Sequence, residues 1–324
     1  MGFSIGPVRI EDAVFLAPMT GVSDLPFRRL VKHHGAGLVF SEMIASRPML
    51  DQYRSSPKAS ADYTGEFPMA VQLAGCEPQI MAEAAKINAD RGAAIIDINF
   101  GCPVKKIVNN FAGSALMKDE KLAASIMEET VRAVDVPVTV KMRLGWDETS
   151  LNAPRLAKIA EDLGIRMVTV HGRTRDQLYK GSANWDAVRA VRDAVTLPVI
   201  VNGDILTPQN ALDALARSGA VGVMVGRGSY GRPWILQQII DRLKNRTPAS
   251  APAGMELHDM IQDHYDAMLS YYGTRQGISI ARKHLGWYAQ DLPDGFEFRS
   301  AVNQKNDPIA VKALITQYFG HRGN

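Results

Sequence analysis

The chain has 324 residues, of which 46% are hydrophobic and 22% are charged, and its formal net charge is +3 at pH 7. These values are typical of globular proteins and exclude the fibrous and intrinsically disordered classes. No apolar run approaches the roughly 18 residues that a membrane-spanning helix needs, and the first residues lack the cationic and apolar blocks of a targeting segment. We therefore expect a cytoplasmic protein with no membrane association, and we predict no protein partner.

Short apolar segments recur along most of the chain, and a helical pattern follows seven of the eight. The segments are VFLAPM (14–19), LVFSEM (38–43), MAVQL (69–73), AIIDIN (94–99), VTVK (138–141), MVTVH (167–171), VIVNG (199–203) and VGVMVG (221–226). They show little alternation of polar and apolar residues, which is typical of parallel strands buried on both faces. Eight such units predict the α/β class and a (β/α)8 TIM barrel.

The pattern changes near residue 245. The stretch NRTPASAPAG (245–254) is rich in proline and alanine, and only helical periodicity follows it. We therefore predict two domains, a barrel over residues 1–245 and a C-terminal all-helical domain over residues 246–324.

Polar or special residues stand at nearly every predicted strand end, where TIM barrels carry their chemistry. They are Pro18, Met19, Glu42, Gln72, Asn99, Cys102, Lys141, His171, Asn202, Gly226 and Arg227. Hydrogen bonding within the core explains any one of them equally well. Their accumulation on one rim predicts a ligand site.

Glycines concentrate after the last two predicted strands, in VNGDI (201–205) and VGRGSYGRPW (225–234). Barrels bind phosphate at these positions with backbone N–H groups, although tight turns also need glycine. Lys141 adds a cation that suits the negative charge on the edge of a reduced flavin. Together these residues predict a cofactor that carries phosphate.

Seven segments and a C-terminal motif together resemble the tRNA-dihydrouridine synthases, flavin enzymes that reduce specific uridines in transfer RNA. The segments are APMTGVSDLPFR (17–28), VQLAG (71–75), DINFGCPVKK (97–106), VTVKMRLGW (138–146), VHGRTR (170–175), VNGDI (201–205) and GRGSYGRPWI (226–235), and the C-terminal motif is ARKHLGWY (281–288). The resemblance covers most of the chain and is strongest to the bacterial B subgroup. The segment around Cys102 is highly specific, whereas APM and NGD also occur in other flavin barrels.

This resemblance implies FMN as the cofactor, NADPH or NADH as the reductant and tRNA as the partner. The FMN contacts that it implies, position by position, are Pro18, Met19, Thr20, Gln72, Lys141, His171, Asn202, Gly203, Asp204, Gly226 and Arg227. The substrate contacts that it implies are Asn99, which would face the uracil, and Lys105, Arg173, Arg282 and Lys283.

The resemblance also implies that Cys102 is the catalytic proton donor. Reduction of the C5=C6 bond of uracil takes a hydride from the flavin N5 to C6 and a proton to C5. A thiol with an ordinary pKa of about 8.5 is mostly protonated at neutral pH and is a far stronger acid than serine. Cys76, the other cysteine of the chain, lacks such a motif, and we interpret it as a small buried hydrophobic residue. Two cysteines cannot build a four-cysteine zinc site, and we predict no metal site.

Basic and aromatic residues of the C-terminal part have two interpretations. They are Arg275, Arg282, Lys283, His284, Trp287, Tyr288, Arg299 and Lys305. With the family resemblance, we expect them to share one face that binds RNA. The alternative is a solvated, charged helix above an aromatic core.

Three other functions remain open from the sequence. The first is a flavin-dependent dehydrogenase of a free pyrimidine, of the dihydroorotate or dihydropyrimidine type. The second is a barrel without flavin that binds a phosphosugar and uses Lys141 to form a Schiff base. The third is an RNA-binding protein in which the barrel is a scaffold without catalysis.

Overall fold

Parallel strands close into a barrel at the centre of the protein, as the apolar segments predict. The computed structural model describes residues 2–55 and 63–320. Its strands are β1 (Phe3–Ile5), β2 (Val8–Ile10), β3 (Val14–Leu16), β4 (Leu38–Phe40), β5 (Ile44–Ala45), β6 (Met69–Ala74), β7 (Ile95–Phe100), β8 (Val138–Arg143), β9 (Val168–His171), β10 (Val199–Asn202) and β11 (Gly222–Val225). Strands β3, β4 and β6 to β11 are parallel, and the ring closes because β11 pairs with β3 and β4 pairs with β6. This confirms the predicted TIM barrel.

Helices surround the barrel and continue beyond it. They are α1 (Leu25–His33), α2 (Ser46–Ser55), α3 (Pro78–Asp90), α4 (Lys105–Val108), α5 (Glu120–Ala133), α6 (Ala153–Asp162), α7 (Trp185–Ala194), α8 (Pro208–Ser218), α9 (Ile235–Leu243), α10 (Gly254–Tyr272), α11 (Thr274–Tyr288), α12 (Gly295–Asn303) and α13 (Pro308–Phe319). Capping residues in the sequence determine where several helices begin. Thr207 caps the N-terminus of α8 just before a proline, and Asp24 caps the N-terminus of α1. None of the described helices is both long and apolar enough to cross a membrane.

Side chains of the barrel strands alternate between two environments. On β7, Ile96 and Ile98 point outward into the large core under the helices, whereas Asp97 and Asn99 point into the barrel. The lower interior is apolar and includes Phe15 and Met224. The upper interior, towards the carboxyl ends of the strands, is therefore the polar half.

A β-hairpin that the sequence did not predict closes the bottom of the barrel. Strands β1 and β2 pair antiparallel, and Ile5, Val8 and Ile10 pack on the lower interior cluster. Strands of three residues carry too little periodicity to stand out in a sequence. The hairpin leaves the carboxyl ends of the strands as the open side of the barrel.

The C-terminal helices α10 to α13 have a hydrophobic core of their own, as the sequence predicts for an all-helical region. Tyr265, Leu285 and Phe319 are buried in it. Helix α10 packs against α1 of the barrel. Helix α9 ends at Leu243 and α10 begins at Gly254, and the boundary between residues 245 and 246 stays a prediction.

The hairpin allows a test of the closed bottom. We expect Ile10→Ala to lower the free energy of unfolding by about 2–5 kcal/mol, because a fully buried side chain leaves a cavity. Arg9→Ala is the matched control, since Arg9 lies on the same strand, faces solvent and should cost less than about 0.5 kcal/mol. Thermal and chemical denaturation measure both. Equal effects of the two substitutions would contradict a packing role for the hairpin.

Candidate functional site

One cavity of about 360 Å³ opens at the carboxyl ends of the strands. Its volume lies in the range of small-molecule and cofactor sites. Every residue that the sequence predicts to bind the cofactor lines it, together with the predicted catalytic cysteine and Asn99. These residues are Pro18, Met19, Thr20, Gln72, Asn99, Cys102, Lys141, His171, Asn202, Gly203, Asp204, Gly226 and Arg227.

The cavity lining does not include four residues that are predicted to bind substrate: Lys105, Arg173, Arg282 and Lys283. Lys105 begins the short helix α4, just beyond the cysteine. Arg173 is 1% exposed and donates to Asp204, so its guanidinium holds loops together. Arg282 donates to the carbonyl of Lys305 at the surface. Contact of these side chains with RNA stays a prediction.

Hydrogen bonds fix the backbone of Cys102 from two sides. The carboxamide oxygen of Asn99 accepts from the N–H groups of Gly101 and Cys102, at 3.0 and 2.9 Å. The N–H and hydroxyl of Ser114 donate to the carbonyl of Cys102 at 3.1 and 2.9 Å. The thiol is therefore held at one edge of the cavity.

Burial raises the pKa of the Cys102 thiol above its ordinary value, although nearby Arg143 and Lys141 oppose this shift. Burial and the charge of Arg143 lower the pKa of Lys141 to about 8. The thiol is therefore protonated at neutral pH, while Lys141 still carries most of its positive charge. The site thus combines a neutral acid with a neighbouring cation.

His171 is neutral in the cavity. Burial and the charge of Lys141 hold its pKa well below the usual range. Nη1 of Arg173 lies 3.4 Å from Nε2 of His171. Since arginine can only donate, Nε2 is the accepting nitrogen and Nδ1 carries the proton.

Asp204 ties together the loops that follow β9, β10 and β11. Its carboxylate accepts from Arg173 at 3.0 and 2.6 Å, from the N–H of Ala183 at 2.8 Å and from Arg227 at 3.1 Å. Gly203 before it has φ of +113°, and a Cβ there would lie 2.7 Å from the His171 ring. The NGD segment is therefore a turn that a larger residue would disrupt.

Several residues of the lining were not predicted from the sequence, and three of them are charged or aromatic: Arg143, Tyr179 and Tyr230. Arg143 donates to the carbonyls of Gly101 (2.8 Å), Thr174 (2.8 Å) and Leu178 (2.9 Å). It stands two positions after Lys141 on β8, so strand alternation was a signal that places both on one face. The tyrosines lie on loops, whose approach to the cavity no local pattern reveals.

The electrostatics of the cavity fit an anionic ligand. Among the described residues that line it, Lys141, Arg143 and Arg227 are cationic, whereas Asp204 is the single carboxylate. Gln72 of β6 and Lys141 of β8 lie across the strand ring from Arg227 and the glycine backbone after β11. A Cβ on Gly228 would lie 2.2 Å from the carbonyl oxygen of Ile205, so this turn requires glycine. These residues fit a flavin nucleotide, which has a polar ring edge and a phosphate.

The C-terminal helices reach the edge of the cavity. Tyr230, which lines the cavity, stacks on Trp287 of α11 with ring centroids 4.0 Å apart. Lys283 of the same helix donates to the carbonyl of Gly21, which follows the predicted FMN contacts Pro18, Met19 and Thr20. The loops around the cavity therefore rest on the helical region.

The predicted basic and aromatic face of the C-terminal part is wrong at two positions, His284 and Tyr288. His284 is 1% and Tyr288 6% exposed, so neither side chain is available at the surface. Both pack inward, since His284 lies against Phe27 of α1 and Tyr288 bonds to His264. The alternative of an aromatic core under charged residues describes these positions better.

Comparison with known proteins identifies the family. The family model described as "Dihydrouridine synthase (Dus)" matches residues 15–321. A Rickettsia conorii protein named "Probable tRNA-dihydrouridine synthase" is 56% identical over 316 residues, covering 97% of this chain and 96% of that protein. A Xanthomonas campestris pv. campestris protein named "tRNA-dihydrouridine synthase B" is 49% identical over 316 residues, covering 97% and 95%. The resemblance to the family and to its B subgroup is confirmed.

Solved structures with low sequence identity share the fold. Histamine dehydrogenase from Rhizobium sp. 4-9 aligns with a TM-score of 0.55 at 15% identity, over 82% of this chain and 50% of that chain. A morphinone reductase mutant in complex with tetrahydroNAD aligns with the same TM-score and identity, over 76% and 92%. On the family match and the sequence identities over nearly its whole length, this chain belongs to the dihydrouridine synthase family.

Proposed function

We propose that this protein is a tRNA-dihydrouridine synthase, which acts in the cytoplasm and reduces the C5=C6 bond of a uridine in tRNA with FMN and NADPH or NADH. The observation that carries the proposal is Cys102, a protonated thiol clamped at the edge of a cationic cavity. The names of relatives that are about half identical over nearly the whole chain support the same substrate.

The residues of the cavity have distinct tasks towards FMN in this proposal. The backbone around Pro18 and Met19 forms the floor, Gln72 and Lys141 bind the polar ring edge, and the turns at Asn202 and Arg227 hold the phosphate. When bound and reduced, FMN supplies the hydride for C6 of the uracil. Neutral His171 adds a hydrogen-bonding group without further positive charge.

Cys102 gives its proton to C5 of the uracil. The S–H bond breaks as the C5–H bond forms, so the product is dihydrouridine and the enzyme is left with a thiolate. Arg143 and Lys141 stabilise that thiolate, because their charges oppose the effect of burial on its pKa. Solvent then returns the proton to sulfur.

Substrate contacts lie around the cavity mouth in this proposal. Asn99 faces the uracil, and Lys105 on α4 meets the RNA backbone with Arg282 and Lys283 of the helical region. Arg173 acts by holding the loop beside the cavity. A uridine in folded tRNA must leave its stack to reach this site, and contacts with phosphates provide the required binding energy.

The substrate class is tested with purified protein, FMN and NADPH. We expect reduction of unmodified tRNA, read as a mass increase of two hydrogens in one nucleoside, and no turnover of free uridine, uracil or orotate. Affinity for tRNA should fall steeply with salt, because phosphate contacts release counterions. Turnover of a free pyrimidine with a flat salt response would favour the small-molecule dehydrogenase. A protein that stays colourless with FMN would favour the barrel that binds a phosphosugar.

Substitution of the thiol separates cofactor binding from catalysis. We expect Cys102→Ala to bind FMN and to accept electrons from NADPH, but to form dihydrouridine at least about 100-fold more slowly, since a general acid contributes that much. Single-turnover oxidation of the reduced enzyme by tRNA measures the step. Cys76→Ala is the control and should react as the wild type does. Normal turnover by Cys102→Ala would refute the acid role.

The protonation state of Cys102 can be measured directly. In a Cys76→Ser background, the rate of alkylation by iodoacetamide should rise with pH through an apparent pKa above that of an ordinary cysteine. The sign follows from the mechanism, because the thiolate reacts with iodoacetamide and burial disfavours the thiolate. Rapid alkylation at pH 6 to 7 would indicate a thiolate and would contradict a proton donor.

A further inference from the structure

A buried carboxylate below the cavity has no task in the proposed reaction. Asp97 of β7 is 0% exposed and points into the barrel two residues before Asn99. It accepts hydrogen bonds from the hydroxyl of Thr139 at 2.6 Å and from Nε2 of Gln72 at 2.7 Å. Burial of a charged carboxylate costs free energy, and an apolar side chain would pack at this position without that cost. The presence of Asp97 therefore needs an explanation other than packing.

A chain of hydrogen bonds leads from Asp97 to the cysteine loop. Gln72 donates to Asp97, and its Oε1 accepts from Nδ2 of Asn99 at 2.7 Å. Oδ1 of Asn99 then accepts from the N–H groups of Gly101 and Cys102. Gln72 and Asn99 line the cavity, while Asp97 lies beneath it.

The two ends of this chain decide the orientation of both carboxamides. An ionised carboxylate can only accept hydrogen bonds, and a backbone N–H can only donate them. The carboxamides between them must therefore both point their nitrogen towards Asp97 and their oxygen towards Cys102. Reversing either one would place two donors or two acceptors face to face. Both residues line the cavity.

We propose that Asp97 is a positioning residue: it orients Gln72 and Asn99 towards the cofactor and the uracil, and it holds the loop of Cys102 through Asn99. The part that concerns FMN and uracil rests on the proposed function. The part that concerns the cysteine loop needs only the protein.

Protonation of Asp97 should weaken its hold on the orientation of Gln72 and Asn99, because a protonated carboxyl group can also donate a hydrogen bond. Burial raises the pKa of Asp97 to about 6, against the hydrogen bonds from Thr139 and Gln72 and the charge of Lys141. Lys141, the charged group that acts on Asp97, has a pKa of about 8. His171 and Cys102 also line the cavity above Asp97. The pKa of His171 lies well below 6.5 and that of Cys102 above its ordinary value, so neither titrates near pH 6.

Asp97→Asn in a Cys76→Ser background is the first test. The substitution keeps the shape but removes the acceptor-only character, so the orientation of Gln72 is no longer enforced. We expect FMN affinity about 10-fold weaker, as for loss of one good hydrogen bond. Alkylation of Cys102 in the protein without FMN should be several-fold faster, because its loop is held less firmly. Thermal unfolding should change little, since neutral replacement of a buried charge is often tolerated.

Thr139→Val is the matched variant, because it keeps Asp97 and its bond to Gln72. At pH 8 this variant should bind FMN as the wild type does. Loss of the threonine hydrogen bond raises the pKa of Asp97 further. In both proteins, FMN affinity should fall as the pH drops through the pKa of Asp97. The midpoint of this fall should lie near pH 6 in the wild type and at a higher pH in Thr139→Val. A purely structural residue would not move a pH midpoint.

Wild-type FMN affinity together with a wild-type alkylation rate in Asp97→Asn would overturn the proposal. If that variant does not fold, an unshifted pH midpoint in Thr139→Val would overturn it equally. Failure of the wild type to bind FMN at all would refute the proposed function instead. The alkylation rates would then decide the role of Asp97 alone.

Discussion

Closure of eight parallel strands is the constraint on which the rest of this structure depends. Because side chains alternate along each strand, closure forces half of them into a narrow interior. Apolar side chains and the β1–β2 hairpin fill the lower part. The upper part receives polar side chains from neighbouring strands, and these can stay buried only if they bond to one another or to a ligand. The fold thereby concentrates polar groups at one end.

The cavity at that end is cationic, yet the proposed proton donor in it is neutral. Lys141, Arg143 and Arg227 supply positive charge, while burial and these cations keep His171 neutral by lowering its pKa. The Cys102 thiol is protonated because its burial outweighs the attraction of nearby cations. This balance suits a site that binds an anionic cofactor and delivers a proton in one place.

The helical region completes the site from outside the barrel. Trp287 stacks on Tyr230 at the cavity edge, and Lys283 bonds to the backbone of the loop after β3. Any RNA that binds to this region would therefore contact elements that also support the loops around the cavity. His284 and Tyr288 contribute to that packing, which is why they are unavailable at the surface.

The sequence alone determined the fold class and most of the cavity lining, because buried parallel strands and their terminal residues have local signatures. The strand-end residues from Pro18 to Arg227 could be named in this way, and so could the cysteine, through its motif. Tertiary structure alone decided the rest. The hairpin at the barrel bottom, the approach of Tyr179 and the burial of His284 depend on contacts between distant segments, which no local pattern records. The orientation of the Gln72 and Asn99 carboxamides likewise depends on the register of the neighbouring strands β6, β7 and β8, which only the tertiary structure shows.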